Sequence, residues 1–260
     1  MADVTYRTIR ALLSSKRPDD IKKGLGLIAI EITKLGSGES RPLFEMVSAL
    51  FYIDALDHPE LVPVVDEAVK LTATFGTWVI PILIDNLDAG DIKAQWAIAH
   101  VLGRIGPDAI DPMLKEYGST KDSTLRSFIL YALGKIKSPE IKKAASTAVA
   151  AARSQELELR DTATRALGKF IECIGPAEMN PEMKQDFMRC LYENLADENA
   201  SVRAKAIRSL GKMARHGHFS GPERERLKSC CLGILGTDEK GEWDRAFIVR
   251  KEAEEAMQYV

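Results

Sequence analysis

No apolar run in this sequence approaches the roughly 18 residues that a membrane span requires, and Met1-Ala2-Asp3-Val4 shows no charged segment leading into an apolar one as a secretion signal would. No membrane partner is expected, and a cytoplasmic location is the simplest expectation. Cysteine is also scarce. Cys173, Cys190, Cys230 and Cys231 form no Cys-x-x-Cys pair and have no histidine at metal-ligand spacing, and four cysteines in 260 residues do not make a disulfide framework. Reduced, buried thiols are expected, because free cysteine packs as a small hydrophobe. An excess of one charge is missing too: 36 basic and 38 acidic residues leave a formal −2, which supplies no global drive towards nucleic acid or anionic membrane. Strand-like runs of β-branched residues are short, and almost every apolar segment keeps a period near 3.6, so the chain reads as all-α.

What the sequence does contain is a repeat. In Val202 to Gly211 an apolar residue stands nine before the glycine (−9), arginine at −8, small or apolar residues at −5 and −2, and leucine at −1. Leu125 to Gly134 and Leu159 to Gly168 fit the same frame. So does Ala94 to Gly103, with Gln95 in the arginine slot, and Val249 to Gln258, with Arg250 in place and glutamine for glycine. Proline supplies the register independently. Pro81 and Pro112 each lie 22 residues before a frame glycine, Gly103 and Gly134. Each opens a first helix, where a missing amide hydrogen costs nothing. Asp91, Asp122 and Asn199 are expected N-caps of three second helices.

Upstream, Val4 to Ser15 places Val4, Ile9, Leu12 and Leu13 on one helical stripe, and Pro18 opens a second segment through Leu35. Gly24 and Gly26 lie inside it and call for close packing or a bend. Gly36-Ser37-Gly38 breaks the chain before a helix carrying Leu43, Met46, Val47, Leu50 and Phe51. The next helix, starting at Pro59, should end at Gly76, which tolerates positive φ. Downstream, Gly175-Pro176 to Pro181 and Gly217 to Pro222 read as enlarged loops, and Glu252, Glu254 and Glu255 as a polar cap. One solenoid over 1–260 is expected, with divergent repeats and a cap in 1–76, regular repeats in 77–216, and a terminal repeat and cap in 217–260. Each pair is too small to bury its apolar face alone, so neighbours must stack.

The apolar-Arg-x-x-Ala-x-x-Ala-Leu-Gly helix resembles HEAT-like repeats, in particular the short phycocyanobilin-lyase type, most strongly over Thr77 to Gly211. The resemblance implies a right-handed α-α superhelix of about seven antiparallel helix pairs, with second helices lining a concave groove. In this repeat type the −8 arginine usually pairs with an acid near the preceding turn. Arg126, Arg160, Arg203 and Arg250 are therefore expected to form a structural ladder, with Asp122 and Asp197 as candidate partners.

On the helical wheel −9, −5, −2 and −1 cluster on the buried side, leaving −7, −4, −3 and 0 to face the groove. That reading selects Trp96, Ser127 and Asp161 at −7, and His100, Tyr131, Arg165 and Arg208 at −3, as a partner-binding surface. Aromatics and arginine dominate binding energetics. Residues 201–228 hold eight basic residues against Glu223 and Glu225, a formal +6. No aromatics interleave them for base stacking.

Another protein is thus the expected partner, with nucleic acid not favoured and no catalytic residues, metal or cofactor assigned. His58, His100, His216 and His218 lack the following glutamate of HEAT-like di-iron hydroxylases, and His216 and His218 are a weak metal pair. The alternatives are a bilin-lyase-like subunit or a DNA-glycosylase-like enzyme, for which Trp96, Asp161 and Arg165 imitate the site. A subunit that docks through its convex face or a terminal repeat is a third.

Overall fold

Capping chemistry sets where the helices begin. In the computed structural model, which describes residues 2–260 apart from 37, 55, 89 and 240, Asp91 accepts from the amides of Lys93 and Ala94 at 2.9 and 3.1 Å. Asp122 accepts from Leu125 at 2.9 Å and Asn199 from Ser201 at 2.8 Å. All three expected caps are therefore in place, each satisfying first-turn amides that have no intrahelical acceptor. Asn180, at the start of α11, accepts from Met183, and Ser220 forms a capping box with Glu223.

Among the described residues there are fourteen α-helices, which taken in order make seven pairs, and no strand. They are α1 Ala2–Leu13, α2 Pro18–Ile32, α3 Arg41–Ser48, α4 Val62–Thr72, α5 Ile80–Asp85, α6 Ile92–Ile105 and α7 Ile110–Ser119. Then follow α8 Ser123–Leu133, α9 Ala145–Ala151, α10 Leu157–Cys173, α11 Pro181–Asn194, α12 Ala200–Arg215, α13 Gly221–Leu235 and α14 Phe247–Ala256. Short 3-10 turns flank several of them, as at Ala49–Tyr52 and Pro59–Leu61. The chain divides into two compact units, 1–116 and 117–260.

In the first unit α2, α4 and α6 stack in succession, and α1 packs on α2. Ile9, Ile21, Leu25, Ile28, Val47 and Val64 fill its core. A Cβ on Gly24 would come within 2.8 Å of the Leu13 side chain and 3.2 Å of Leu12, so close packing explains that glycine. Gly76 takes φ 95, as its C-cap role requires. Two expectations fail here. Val4 is exposed, because α1 turns only its Ile9 side onto α2, and the helix from Leu43 ends as α3 at Ser48 before a 3-10 turn. Ser37 of the Gly36-Ser37-Gly38 break lies outside the described residues.

In the second unit the frame-carrying helices α8, α10, α12 and α14 stack one on the next, with α9, α11 and α13 packed against them. Enlarged loops occupy 174–180 and 216–220 as expected. The frame glycine is the point of closest approach. A Cβ on Gly168 would sit 2.4 Å from Ser209 Oγ, and one on Gly211 would sit 3.0 and 3.2 Å from Ala256 Cβ and Cα. Position 0 therefore meets the next repeat and does not face open space. Position −4 (Ala99, Leu130, Thr164, Ile207) is buried as well, which corrects the helical-wheel assignment. A second helix packs against its own first helix and against neighbours on both sides, so its open stripe is narrower than an isolated helix would suggest. All four cysteines are free thiols. Burial pushes Cys190 up to about 11 and Cys231 to about 12, which makes both inert.

Because the Ala256 backbone cannot yield, Gly211→Leu is expected to cost about 1–3 kcal/mol by overpacking. Gly26 lies inside α2, and a Cβ added there would meet nothing within 4 Å, so Gly26→Ala should instead gain roughly 0.5–1 kcal/mol. Urea midpoints of the two variants check both signs.

Candidate functional site

Two of the −8 arginines, Arg160 and Arg203, are fully engaged within the structure. Arg203 donates from Nη1 to the carbonyls of Asp197 and Glu198 at 2.8 and 3.0 Å, and from Nε and Nη2 to the Asp244 carboxylate at 2.7 and 2.9 Å. Arg160 repeats the pattern on the carbonyls of Ser154 and Gln155, at 2.7 and 3.1 Å, and on Asp197, with its Nε at 2.5 Å. Each guanidinium thus ties its own inter-helix turn to the turn of the following repeat. Hydrogen bonding from Arg203 holds the Asp244 carboxyl below its usual range against the effect of burial.

The acid comes from the repeat after, not from the preceding turn. Asp197 pairs with Arg160 and gives Arg203 only its carbonyl, while Asp122 is used as an N-cap. Asp197 and Asp244 both stand at −14 of their own frames. In the frame after Arg126 that position is Ser154, and Arg126 instead donates to the Tyr117 carbonyl at 3.3 Å and lies over the Tyr117 ring. Arg250 keeps the two carbonyls, of Asp244 and Arg245, at 2.7 and 3.1 Å. In the first unit Gln95 donates to the Leu87 carbonyl at 2.7 Å.

The stripe left open is narrower than expected and shifted one turn towards the C-terminal end of each helix. Position −3 stays accessible throughout: His100, Arg165 and Arg208 are exposed and Tyr131 half-buried. At −7 only Trp96, 50% exposed, keeps an open side chain among the three residues selected there. Ser127 is buried and bonds the Ser123 carbonyl at 2.9 Å, because α8 is covered at that turn by its neighbours. Asp161 is drawn into an ion pair with Lys205 of the next repeat. Arg208 grips the carboxylate of Glu252, with its Nε at 2.7 Å, and Glu252 is buried instead of capping the surface. Trp96 and His100 belong to the first unit, and Tyr131, Arg165 and Arg208 to the second.

Sequence reasoning overlooked position +1, where Arg104, Lys135, Lys169 and Lys212 follow the frame glycines. Their common offset was a readable signal. In the second unit Lys135 Nζ lies 4.5 Å from the centre of the Tyr131 ring and the Arg165 guanidinium 5.6 Å from it, so two cations share one aromatic face region. One turn further, Lys212, Lys169 and Lys137 converge on Glu172 at 2.8, 3.1 and 3.7 Å. Burial alone would raise the Glu172 carboxyl, but hydrogen bonds and charge from Lys212 and Lys169 outweigh it and hold it down to about 2. The cluster carries three positive charges on one negative.

The basic stretch 201–228 behaves differently. Arg203 meets Asp244, Lys205 meets Asp161, Arg208 meets Glu252, Lys212 meets Glu172 and Lys228 lies 3.9 Å from Glu225. Arg215 and Arg226 stack on Tyr259 and Tyr192, and Arg224 donates to the carbonyls of Ala214 and Tyr259. Five of the eight cations are therefore paired with carboxylates, and the other three are held by rings or carbonyls. His218 is buried against the Ile171 carbonyl at 3.4 Å, apart from any cluster of metal-ligating side chains among the described residues. No single helix among them is long and apolar enough to cross a membrane.

Stacked helix pairs with an arginine staple define a repeat solenoid. Residues 80–168 match a model of HEAT repeats and residues 187–217 a model of the HEAT repeat, and over these residues the chain is built of HEAT repeats. The fold is similar to the complex of CpcE and CpcF of phycocyanin lyase from Nostoc sp. PCC7120, with a TM-score of 0.54 and 18% identity over 68% of this chain and 97% of that one. An engineered protein gives 0.54 and 17%, over 95% of this chain and 66% of that one. Kap121p bound to Ste12p gives 0.60 and 11%, over all of this chain and 30% of the larger protein. At these identities the likeness is one of fold. No curated protein matches the sequence.

Arg203→Ala should cost about 3 kcal/mol, since it strands a largely buried carboxylate. Arg126→Ala, with no acid across the repeat, should cost only about 1 kcal/mol. Chemical denaturation ranks the pair. For Glu172, whose carboxyl is depressed in the folded chain, stability is present above its unfolded value and drains away as pH falls from about 4.5 towards about 2. With solvent screening the loss is on the order of 1 kcal/mol, and Glu172→Gln should flatten that part of the stability-against-pH curve.

Proposed function

We propose that this chain is a non-catalytic scaffold that holds an acidic helix or extended segment of another protein along the open stripe of its second helices. The observation that carries this reading is the second unit's Tyr131, clasped by Lys135 and Arg165, next to the lysine-rich cluster around Glu172. An aromatic ring flanked by cations offers both contact area and charge, and such residues supply most of the energy in protein interfaces. In the first unit Trp96, His100 and Arg104 offer the same combination on one helix face. Kap121p, similar in fold, is bound to Ste12p in one structure and to Nup53p in another, which supports a protein partner. The pairing of five of the eight 201–228 cations with carboxylates supports protein over nucleic acid, because phosphate binding draws on unneutralised lysine and arginine.

The test is capture of partners on the intact chain followed by quantitative binding of the recovered protein. Tyr131→Ala and Arg165→Glu should each weaken binding at least about tenfold, equivalent to about 1.4 kcal/mol. Affinity should also fall as salt screens the stripe, whereas Lys121→Ala, in an exposed turn, should change nothing. Binding that survives both stripe variants would remove the assignment.

A further inference from the structure

One member of the arginine staple, Arg250, has its second half unused among the described residues. Arg160 and Arg203 each use Nη1 on the carbonyls of their own turn and the Nε side of the guanidinium on a carboxylate at −14 of the next repeat. Arg250 uses Nη1 in the same way, but its Nε and Nη2 donate to no described residue. Two rings lie beside it instead, Trp243 with its centre 5.2 Å and Phe247 with its centre 6.0 Å from the guanidinium carbon. These rings are 66% and 71% exposed, and Ile248 is 41% exposed.

The composition of this face is unlike that of the other repeats. Trp243, Phe247 and Ile248 stand at −15, −11 and −10 of their frame. The same offsets hold Ala196, Ala200 and Ser201 in the repeat before, and Ser119, Ser123 and Thr124 in the first repeat of the unit. Arg153, Leu157 and Glu158 occupy them in the remaining one. Two large rings exposed together beside a cation with free donors are an interface composition, since isolated exposed apolar residues are common but a contiguous aromatic patch is not.

We infer that this face of the second unit, built on Trp243, Phe247 and Arg250, is a self-association surface that seats the same face of a second copy of the chain. The charge pattern selects a second copy. Glu242 precedes Trp243, and Glu254 lies one helical turn beyond Arg250. Both are exposed, and neither forms an ion pair among the described residues. The patch thus carries both the cation and the carboxylates that would answer it. A two-fold contact needs that self-complementarity, because each copy presents the same residues to the other. In such a pair the rings stack across the axis, and the free side of each Arg250 meets the partner copy's glutamates, filling the place that Asp197 and Asp244 fill within the chain.

The experiment is light scattering on the full chain, from about 1 to about 200 μM, a range over which mass action reveals a weak dimer. The mass should rise from 28.7 kDa towards twice that value. Phe247→Glu and Arg250→Glu should each weaken dimerisation at least about tenfold, the scale on which close interfacial charges act. Adding Glu242→Arg and Glu254→Arg to Arg250→Glu should restore it, and Lys121→Ala should leave it intact. A wild-type read-out guards against a variant that fails to fold: amide exchange across 243–251 should slow as concentration rises. A mass that stays at one chain throughout overturns the inference. So does a dimer that survives Phe247→Glu and Arg250→Glu, or one that forms without slowed exchange in that segment. None of these results bears on the stripe around Tyr131, which is tested by partner binding.

Discussion

Successive second helices in the second unit must approach closely enough for an arginine at one turn to reach the carboxylate of the following turn. Gly168 over Ser209 and Gly211 over Ala256 make that approach, and Arg160 on Asp197 and Arg203 on Asp244 hold it. The two devices are complementary. Removing a Cβ at the crossing brings the backbones together, and the planar guanidinium fork bridges a part-buried carboxylate and two turn carbonyls. Everything exposed on the unit is what this stacking leaves over.

That remainder explains the character of the candidate surface. A helix flanked on three sides keeps a stripe about one residue wide, and in this chain the stripe runs through −3 and +1. Position −7 is open at Trp96 and closed at Ser127, because coverage by neighbouring helices differs from repeat to repeat. In the second unit these positions hold Tyr131, Lys135, Arg165, Lys169 and Lys212. Cations that stack on a ring or crowd round one carboxylate are held in place before any partner arrives, which lowers the entropy cost of using them.

Charge in sequence and charge in space part company most clearly over 201–228. Eight cations in a short interval read as a basic patch, yet helix α12 lies between α10 and α14, and both supply carboxylates: Asp161 and Glu172 from one, Glu252 from the other. The lysines near Glu172, at 137, 169 and 212, form no local run in sequence and make the denser positive cluster. Local runs of charge are a poor guide in a solenoid, where spatial neighbours lie about one repeat apart.

The sequence alone determined the class of fold, about seven helix pairs, and the caps at Asp91, Asp122 and Asn199. All of these depend on local propensity or on spacing within one repeat, which a single chain displays directly. Only the tertiary structure decided which carboxylates Arg160 and Arg203 take, that Ser127 and Glu252 are buried, that Arg208 and Asp161 are engaged, and that the Nε and Nη2 of Arg250 meet no described acceptor. Those outcomes turn on what the adjacent repeat places opposite each side chain. The offset between neighbouring helices that sets this is a property of their packing and not of either helix by itself.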